Sequence, residues 1–574
     1  MKNIISLVTC LIIAGVLVTY RVTEIRPEKP LKISEWDANG YYLYLPSILI
    51  YHDYKDLAWF PAIEAKYHVT GNGVVEAQKA DNGKYAFKYL GGVAFMELPF
   101  FLAGHFIAKH SGYPPDGFSP PYQYSLAIGI LLYSFLAIFI LRNVLLRFFT
   151  DIVTAITLAL VCLATNYIQY AAVDSGQSHA YIFLLYALVL YTTLRWHQTP
   201  TAWWAALTGY ICGLATMSRP TEAIIIFIPM LWNTQTKEIA RAKWAMVKAH
   251  KPQIALAAAM GFLGILPQFI YWKSATGSFV YDVGSKWEFL TPHFQVLFGF
   301  EKGWFIYTPV TIFFVIALFL NRRFAFSRSA LVFCLLNIYI IIAWHDWHYG
   351  GSYSTRALVQ SYPVFALPLA ALIANIVRTG WRIPFYILGS YLTAVNLFQI
   401  KQYCRTIIHY NSMNALYYSH VYLNPHPTPL DMSLLDNDEV LNDRLLYTSA
   451  SVYSHEDPMP VMFAANDSCI LFDGNIDTVS VATAGCAWLE IFCSVEARPY
   501  LWQSWLAADI YSGNEQKHAQ IRLLNGLTEY GDTRFRFDMS VPANLQHGRV
   551  KVYLKSANNF AGTVTNQEVT LLRN

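Results

Sequence analysis

Five short polar stretches hold most of the side chains in this sequence that can move a proton or hold an anion. "ISEWDANGYYLYLPSILIYHD" carries Glu35 and Asp37, "FKYLGG" carries Lys88, "DSGQSH" runs from Asp174 to His179, "SRPT" holds Arg219, and "WHDWHYGGSYSTR" holds His345, Asp346, His348, Tyr353 and Arg356. Carboxylates accept protons, imidazoles give and take them, and guanidinium and ammonium groups bind oxyanions. Each stretch also has a plain structural reading. Asp37 suits a helix N-cap, "DANG" a turn, and Arg219 a snorkelling helix-end charge. Trp36, Trp344 and Trp347 suit an interfacial belt, and His179 the capped start of a span. One short acidic loop would not outweigh these; five such clusters on one face do. His345, Asp346 and His348 are types that suit a zinc or manganese ion, but H-D-W-H is not a specific ligand spacing and no metal is assigned. Gly350 and Gly351 let backbone approach a ligand there.

The elements that must position these residues are membrane spans. The chain has 574 residues, 55% hydrophobic and 14% charged, and its mean hydropathy is +0.32. That is too much apolar surface for a water-soluble fold, so the sequence predicts a polytopic α-helical membrane protein. The net charge of +4 comes with no basic block, so no nucleic-acid partner is implied. Glycines in "GNGVV" and "KYLGG" lack the context of a nucleotide loop. Apolar runs predict spans over 4–20, 124–141, 152–170, 179–194, 202–217, 254–272, 305–320, 330–343, 361–377 and 383–400, with 222–232 completing a further crossing. The first is expected to be an uncleaved anchor. The basic loops 236–251 and 321–328 belong in the cytoplasm, with Arg142, Arg147, Arg195, Arg378 and Arg382. The N-terminus then lies inside and everything after Ile400 outside. Segment 88–110 breaks the parity and carries Glu97 and His105, so a juxtamembrane or re-entrant helix on the outer side is expected, beside about eleven crossings. With this topology all five polar stretches, and the long loop 273–304, emerge on the outer face, where they build a site.

In their order and sidedness these features resemble the GT-C superfamily of integral-membrane glycosyltransferases, most nearly the aminoarabinose lipid A transferases and protein O-mannosyltransferases. The resemblance covers about residues 1–400. It rests on the acid after the first span, an amphipathic helix beyond it, a lysine before a second interfacial helix, an aspartate in a later outer loop, and an outer C-terminal domain. Asp37 and Tyr41 match the first-loop aspartate and tyrosine, Lys88 the lysine, and Asp174 the later aspartate. Ala38 replaces a second acid, which Glu35 supplies two residues earlier, and Tyr89 and Leu90 replace the usual prolines.

The resemblance implies transfer of a sugar from a polyprenyl phosphate to a hydroxyl acceptor, typically with inversion. Such chemistry needs a base, cations for the leaving phosphate and an apolar groove for the prenyl chain. Asp37 is then the candidate base, with Glu35 to orient it or the acceptor and Asp174 to position the sugar donor or acceptor, the three forming the candidate catalytic set. Lys88, Arg356 and Arg219 are the candidate phosphate ligands, and Tyr41, His179, His345, Asp346, His348 and Tyr353 candidate substrate contacts. The expected place is a bacterial inner membrane with the site on the periplasmic side. Two other classes stay open. A lipid-linked glycan transporter would show internal repeats and ionisable groups near the midplane, and a membrane-anchored glycan-binding protein would need few spans.

After residue 403 the composition changes. Residues 404–454 read as a connector. Residues 455–574, with period-two runs such as "TRFRFDMSV" and "GRVKVYLKS", predict a periplasmic β-sandwich. Cys469, Cys486 and Cys493 lie in it, and one pair is a candidate bridge.

Overall fold

In the helix Ala202–Ser218, Gly209 and Gly213 stand one turn apart and face Ala257 and Gly261 of the helix Lys251–Thr276. A Cβ on Gly209 would come within 1.9 Å of the Ala257 carbonyl oxygen, and one on Gly213 within 2.0 Å of that of Gly261. The two backbones therefore touch, as small residues at four-residue spacing allow for helices packed in lipid.

The computed structural model describes residues 3–23, 30–320, 322–441, 443–476, 487–497, 501, 503–526 and 534–573. It divides into two compact units, Met1–Leu397 and Phe398–Asn574. Among the described residues six helices are long and apolar enough to cross a membrane: Ile4–Thr23, Gly92–His110, Pro120–Leu145, Lys251–Thr276, Arg356–Ile376 and Arg382–Cys404. Others expected as single spans are interrupted. The run 152–170 becomes the helix Asp151–Leu163 followed by a π-helical turn, Gln169–Val173, and 222–232 opens as a 3₁₀ helix, Pro220–Ile226. The helix Tyr362–Ile376 is almost wholly buried, and the 3₁₀ turn Arg356–Ser361 forms its N-terminal end.

The 92–110 segment is one continuous helix, with Pro99 inside it. It runs antiparallel to the first half of Pro120–Leu145. A Cβ on Gly104 would meet Tyr122 and one on Gly129 would meet Phe100, and the Met96 carbonyl accepts from the Tyr133 hydroxyl at 2.8 Å. Its first residue, Gly92, sits on the backbone of Ser218.

Asp37 begins a helix of six residues, Asp37–Tyr42, and a second short helix, Tyr44–Leu49, follows it. The sequence suggests one amphipathic helix with a membrane face, but residues 38–47 are buried throughout. They pack in a cluster with Phe60, Phe101, Phe118, Tyr122 and Tyr271, under a β-hairpin that pairs Ala77–Lys79 with Tyr85–Phe87. Four aromatic rings within that cluster, Tyr42, Tyr44, Phe87 and Tyr271, bury too much apolar area for a surface helix to leave uncovered.

The C-terminal unit holds two antiparallel sheets. One orders its strands Asp467–Asn475, Arg549–Ser556, Ser504–Ser512, Glu515–Arg522; the other orders Thr448–His455, Phe560–Arg573, Ala487–Ala497, Arg534–Val541, and Met459–Phe463 also pairs with Phe560–Arg573. Alternation puts Phe535, Phe537 and Met539 of one sheet and Val550, Val552 and Leu554 of the other into one shared core. The stretch 404–454 contributes two short helices and the strand from Thr448, and Asp436 is tied to Arg522 at 2.6 Å. Cys469 and Cys493 are free thiols, and Cys486 lies outside the described residues.

Candidate active site

Two loops pass through unfavourable backbone to bring Asp37 and Arg356 together. Trp36 has φ +47° and ψ −129°, sparsely allowed for a bulky residue, and aims Asp37 at the start of its helix. On the other side Tyr349 and Ser354 both have positive φ, at 54° and 56°. That second loop is stapled. The buried Lys302 ammonium donates to the carbonyls of Gly350 at 2.9 Å and Ser352 at 3.2 Å, and the Thr355 hydroxyl donates to those of Val296 at 2.7 Å and Lys302 at 2.9 Å. Arg356 is 9% exposed; it donates through Nη2 to Asp37 Oδ2 and through Nη1 to Gln177 Oε1 at 2.8 Å. Gln177 reaches it because Gly176 lies against Ile33 and Ala38, where a Cβ would fall 2.1 Å from the Ile33 carbonyl oxygen.

Burial alone would raise the Asp37 carboxyl. The Arg356 guanidinium beside it, by charge and hydrogen bond, with a hydrogen bond from Tyr89 and the charge of Lys88, holds it below the usual aspartate value instead. Tyr89 also stacks on Tyr41, ring centroids 4.4 Å apart, and Gly40 makes room for it: a Cβ there would meet the Tyr89 ring at 2.2 Å. Burial pushes the Tyr41 phenol up. Lys88 is exposed, its ammonium making no hydrogen bond or ion pair among the described residues, and its charge acts on Asp37 and Glu76. Arg219 is half-buried and equally unbonded through its side chain among the described residues; it lies near Tyr41, His179, Glu222 and Tyr349.

A buried chain of hydrogen bonds runs inward from the same end. His179 Nδ1 and Gln360 Oε1 are 2.8 Å apart, Gln360 Nε2 donates to Glu222 Oε1 at 2.9 Å, and the Tyr186 hydroxyl donates to Glu222 Oε2 at 2.5 Å. Glu222 thus accepts through both oxygens, which turns the Gln360 carbonyl toward His179 and makes Nδ1 the protonated ring nitrogen.

Of the residues singled out in the sequence, Asp37, Tyr41, Lys88, His179, Arg219 and Arg356 are brought together. The others have different partners. Glu35 pairs with Lys32 at 2.6 Å, and Asp174 accepts from Gln169 at 2.9 Å. His345 is exposed and meets the backbone of Lys286, Asp346 is exposed, and His348 lies 3.6 Å from Glu301. Tyr353 is 1% exposed, its hydroxyl donating to Asn396 at 3.3 Å, so it packs the core behind Arg356. Among the described residues no three His, Cys, Asp or Glu side chains are grouped to hold a metal ion. Glu76, Tyr89, Gln177, Lys302 and Gln360 belong to the site without any sequence motif. The nearest signal was adjacency: Tyr89 follows Lys88, and Gln177 lies within "DSGQSH".

No protein-family model matches the chain, and no curated protein matches its sequence. Among solved structures its trace is similar to that of apo ArnT from Cupriavidus metallidurans, at 12% identity over 74% of this chain and 67% of that one, TM-score 0.41. It is similar to the oligosaccharyltransferase AglB from Archaeoglobus fulgidus in complex with an inhibitory peptide and a dolichol-phosphate, at 13% identity over 76% and 61%, TM-score 0.42. It is also similar to the arabinosyltransferase EmbB from Mycobacterium smegmatis, at 10% identity over 99% and 64%, TM-score 0.30. The chain thus spans less than two thirds of the last two. No residue role follows from likeness at this level.

Proposed function

We propose that the chain transfers a sugar from a polyprenyl-phosphate-linked donor to a hydroxyl acceptor, with inversion, at the end of the helical unit where Asp37 meets Arg356. That end faces the periplasm of a bacterial inner membrane; the N-terminus is cytoplasmic and the C-terminal unit is a periplasmic β-sandwich. The observation that carries this reading is the pairing of half-buried Asp37 with buried Arg356, with two cations, Lys88 and Arg219, unbonded among the described residues in the same set of loops. A carboxylate paired this way is ionised but weakly basic. A donor phosphate binds guanidinium bidentately and competes with Asp37 for Arg356. Displaced from Arg356, Asp37 loses the charge that depresses it, and its basicity rises as the donor arrives. It then takes the acceptor proton while the hydroxyl oxygen attacks the anomeric carbon opposite the phosphate.

Asp37→Asn tests the reading, with purified protein, several polyprenyl-phosphate sugars and release of prenyl phosphate as the readout. Loss of roughly 10²- to 10⁴-fold is expected, and equal turnover removes Asp37 as base. The Glu222 chain inside the helical unit favours a second reading, a lipid-linked glycan transporter, because such proteins carry ionisable groups at depth. Sugar-dependent flipping without bond cleavage would select it.

A further inference from the structure

Glu76 is an acid of the same site with no role in the transfer as described. It directly precedes the strand Ala77–Lys79, and its carbonyl accepts from the Lys88 N–H at 3.0 Å, which places it beside the lysine. It is 7% exposed, and its carboxyl makes no hydrogen bond or ion pair among the described residues. An acid buried without a partner costs stability, so its retention asks for a use. The groups that face it are Asp37, Lys88, Arg356 and the Tyr89 phenol. A Cβ on Gly40 would stand 3.2 Å from the Glu76 Cβ, so the Asp37 helix and Glu76 meet closely only because residue 40 has no side chain.

Burial first, and the charge of Asp37 second, push Glu76 up to about 7 against the pull of Lys88 and Arg356. Asp37 is held low by the same Arg356. Two neighbouring carboxyls with opposite shifts are the arrangement that separates an acid from a base.

We infer that Glu76 is the general acid of this site, giving its proton to the leaving phosphate as Asp37 takes the proton of the incoming hydroxyl. The inference rests on the transfer reading above. The bond from the anomeric carbon to the phosphate oxygen breaks, its electron pair stays on that oxygen, and the Glu76 proton joins it. The bond from the anomeric carbon to the acceptor oxygen forms. The donor phosphodiester carries one negative charge and the protonated prenyl phosphate carries one, so charge balances. Asp37 is left protonated and Glu76 ionised, and passage of that proton from Asp37 to Glu76 restores both.

Prenyl phosphate release is measured against pH for wild type, Glu76→Gln and Glu76→Asp, using the polyprenyl-phosphate sugar that wild type turns over best. Wild-type kcat is expected to fall above about pH 7, by about tenfold per pH unit. Glu76→Gln is expected to lower kcat roughly 10²-fold, to leave KM for the donor little changed and to lose the falling limb; Glu76→Asp keeps that limb. A donor whose leaving phosphate is less basic is expected to reduce the Glu76→Gln defect. Turnover of Glu76→Gln within about threefold of wild type, with the limb intact, overturns the role of Glu76 alone. Should the variants fail to fold, absence of any falling limb in wild type overturns it equally. No release by wild type from any donor overturns the transfer reading and this inference with it.

Discussion

The helix Ser327–Ile342 joins two ends of the helical unit that differ in how much charge they bury. Beyond its C-terminal end, Lys302, Arg356, Glu76, His179 and Glu222 are all buried, and the hydrogen-bond partners of Lys302, Arg356, His179 and Glu222 lie tens to hundreds of residues away. At its N-terminal end most cations are exposed, namely Arg322, Arg323 and Arg328, Lys237, Arg241 and Lys248 of the helix Lys237–Ala249, and Arg378 and Arg382; Lys243 of that helix is the exception, buried and donating to the carbonyls of Pro229 at 2.9 Å and Met230. What holds that end is mostly aromatic: Phe324 stacks on Phe326, centroids 5.1 Å apart, and Phe148, Phe149 and Trp232 close the cluster. Asp151 accepts from the Ile5 and Ser6 N–H groups at 2.8 and 3.0 Å, satisfying donors a helix start leaves open. The difference teaches that the same residue types carry two kinds of information. Exposed cations without fixed partners at that end are nearly interchangeable; buried ones held by partners are not.

The hardest break is Arg356→Met. It leaves the half-buried Asp37 carboxylate without its counter-charge, a loss of about 1–3 kcal/mol. Turnover is expected to vanish and the melting temperature to fall, and Arg356→Lys is expected not to restore activity, because an ammonium lacks the planar fork by which the guanidinium reaches Asp37 and Gln177 through separate nitrogens and binds phosphate bidentately. Lys302 sharpens the comparison through pH. Burial pulls its ammonium down to about 7, so between there and its unfolded value the unfolded chain binds more protons. Stability therefore rises with pH from about 7 to about 10, and Lys302→Met is expected to flatten that part of a melting curve recorded against pH. The smallest effect belongs to the open end. Arg322→Ala with Arg323→Ala is expected to leave turnover unchanged and stability within about 0.5 kcal/mol per site, measured on the same purified protein. A large loss there would erase the distinction between the two ends.

Much of this arrangement was legible before any coordinates. Asp37 and Arg356 stood out because charged residues at the ends of apolar runs are few, and Lys88 through the order of motifs that the sequence shares with the GT-C superfamily. The period-two runs around Phe537 and Val552 announced the sheets, since alternation follows from strand geometry alone. Other features were hidden for definite reasons. Glu76 and Lys302 lie in loops of mixed polarity, where nothing local says that a side chain will be buried. The expected amphipathic helix after Asp37 failed because its tyrosines read as an interfacial face until Phe87, Phe101 and Tyr271 are known to cover them. Tyr353 and His345 share a motif with Arg356, yet one turns into the core and the other out to the surface.

The sequence by itself determined that this chain is built of apolar helices with a β-rich C-terminal region, because hydropathy and side-chain period act through near neighbours. Only the tertiary structure decided which acid meets which cation, since the Asp37–Arg356 pair joins residues that no local rule connects. It also decided their chemistry. Whether a carboxyl is pushed down, as at Asp37, or up, as at Glu76, depends on burial and on charges that arrive from other loops.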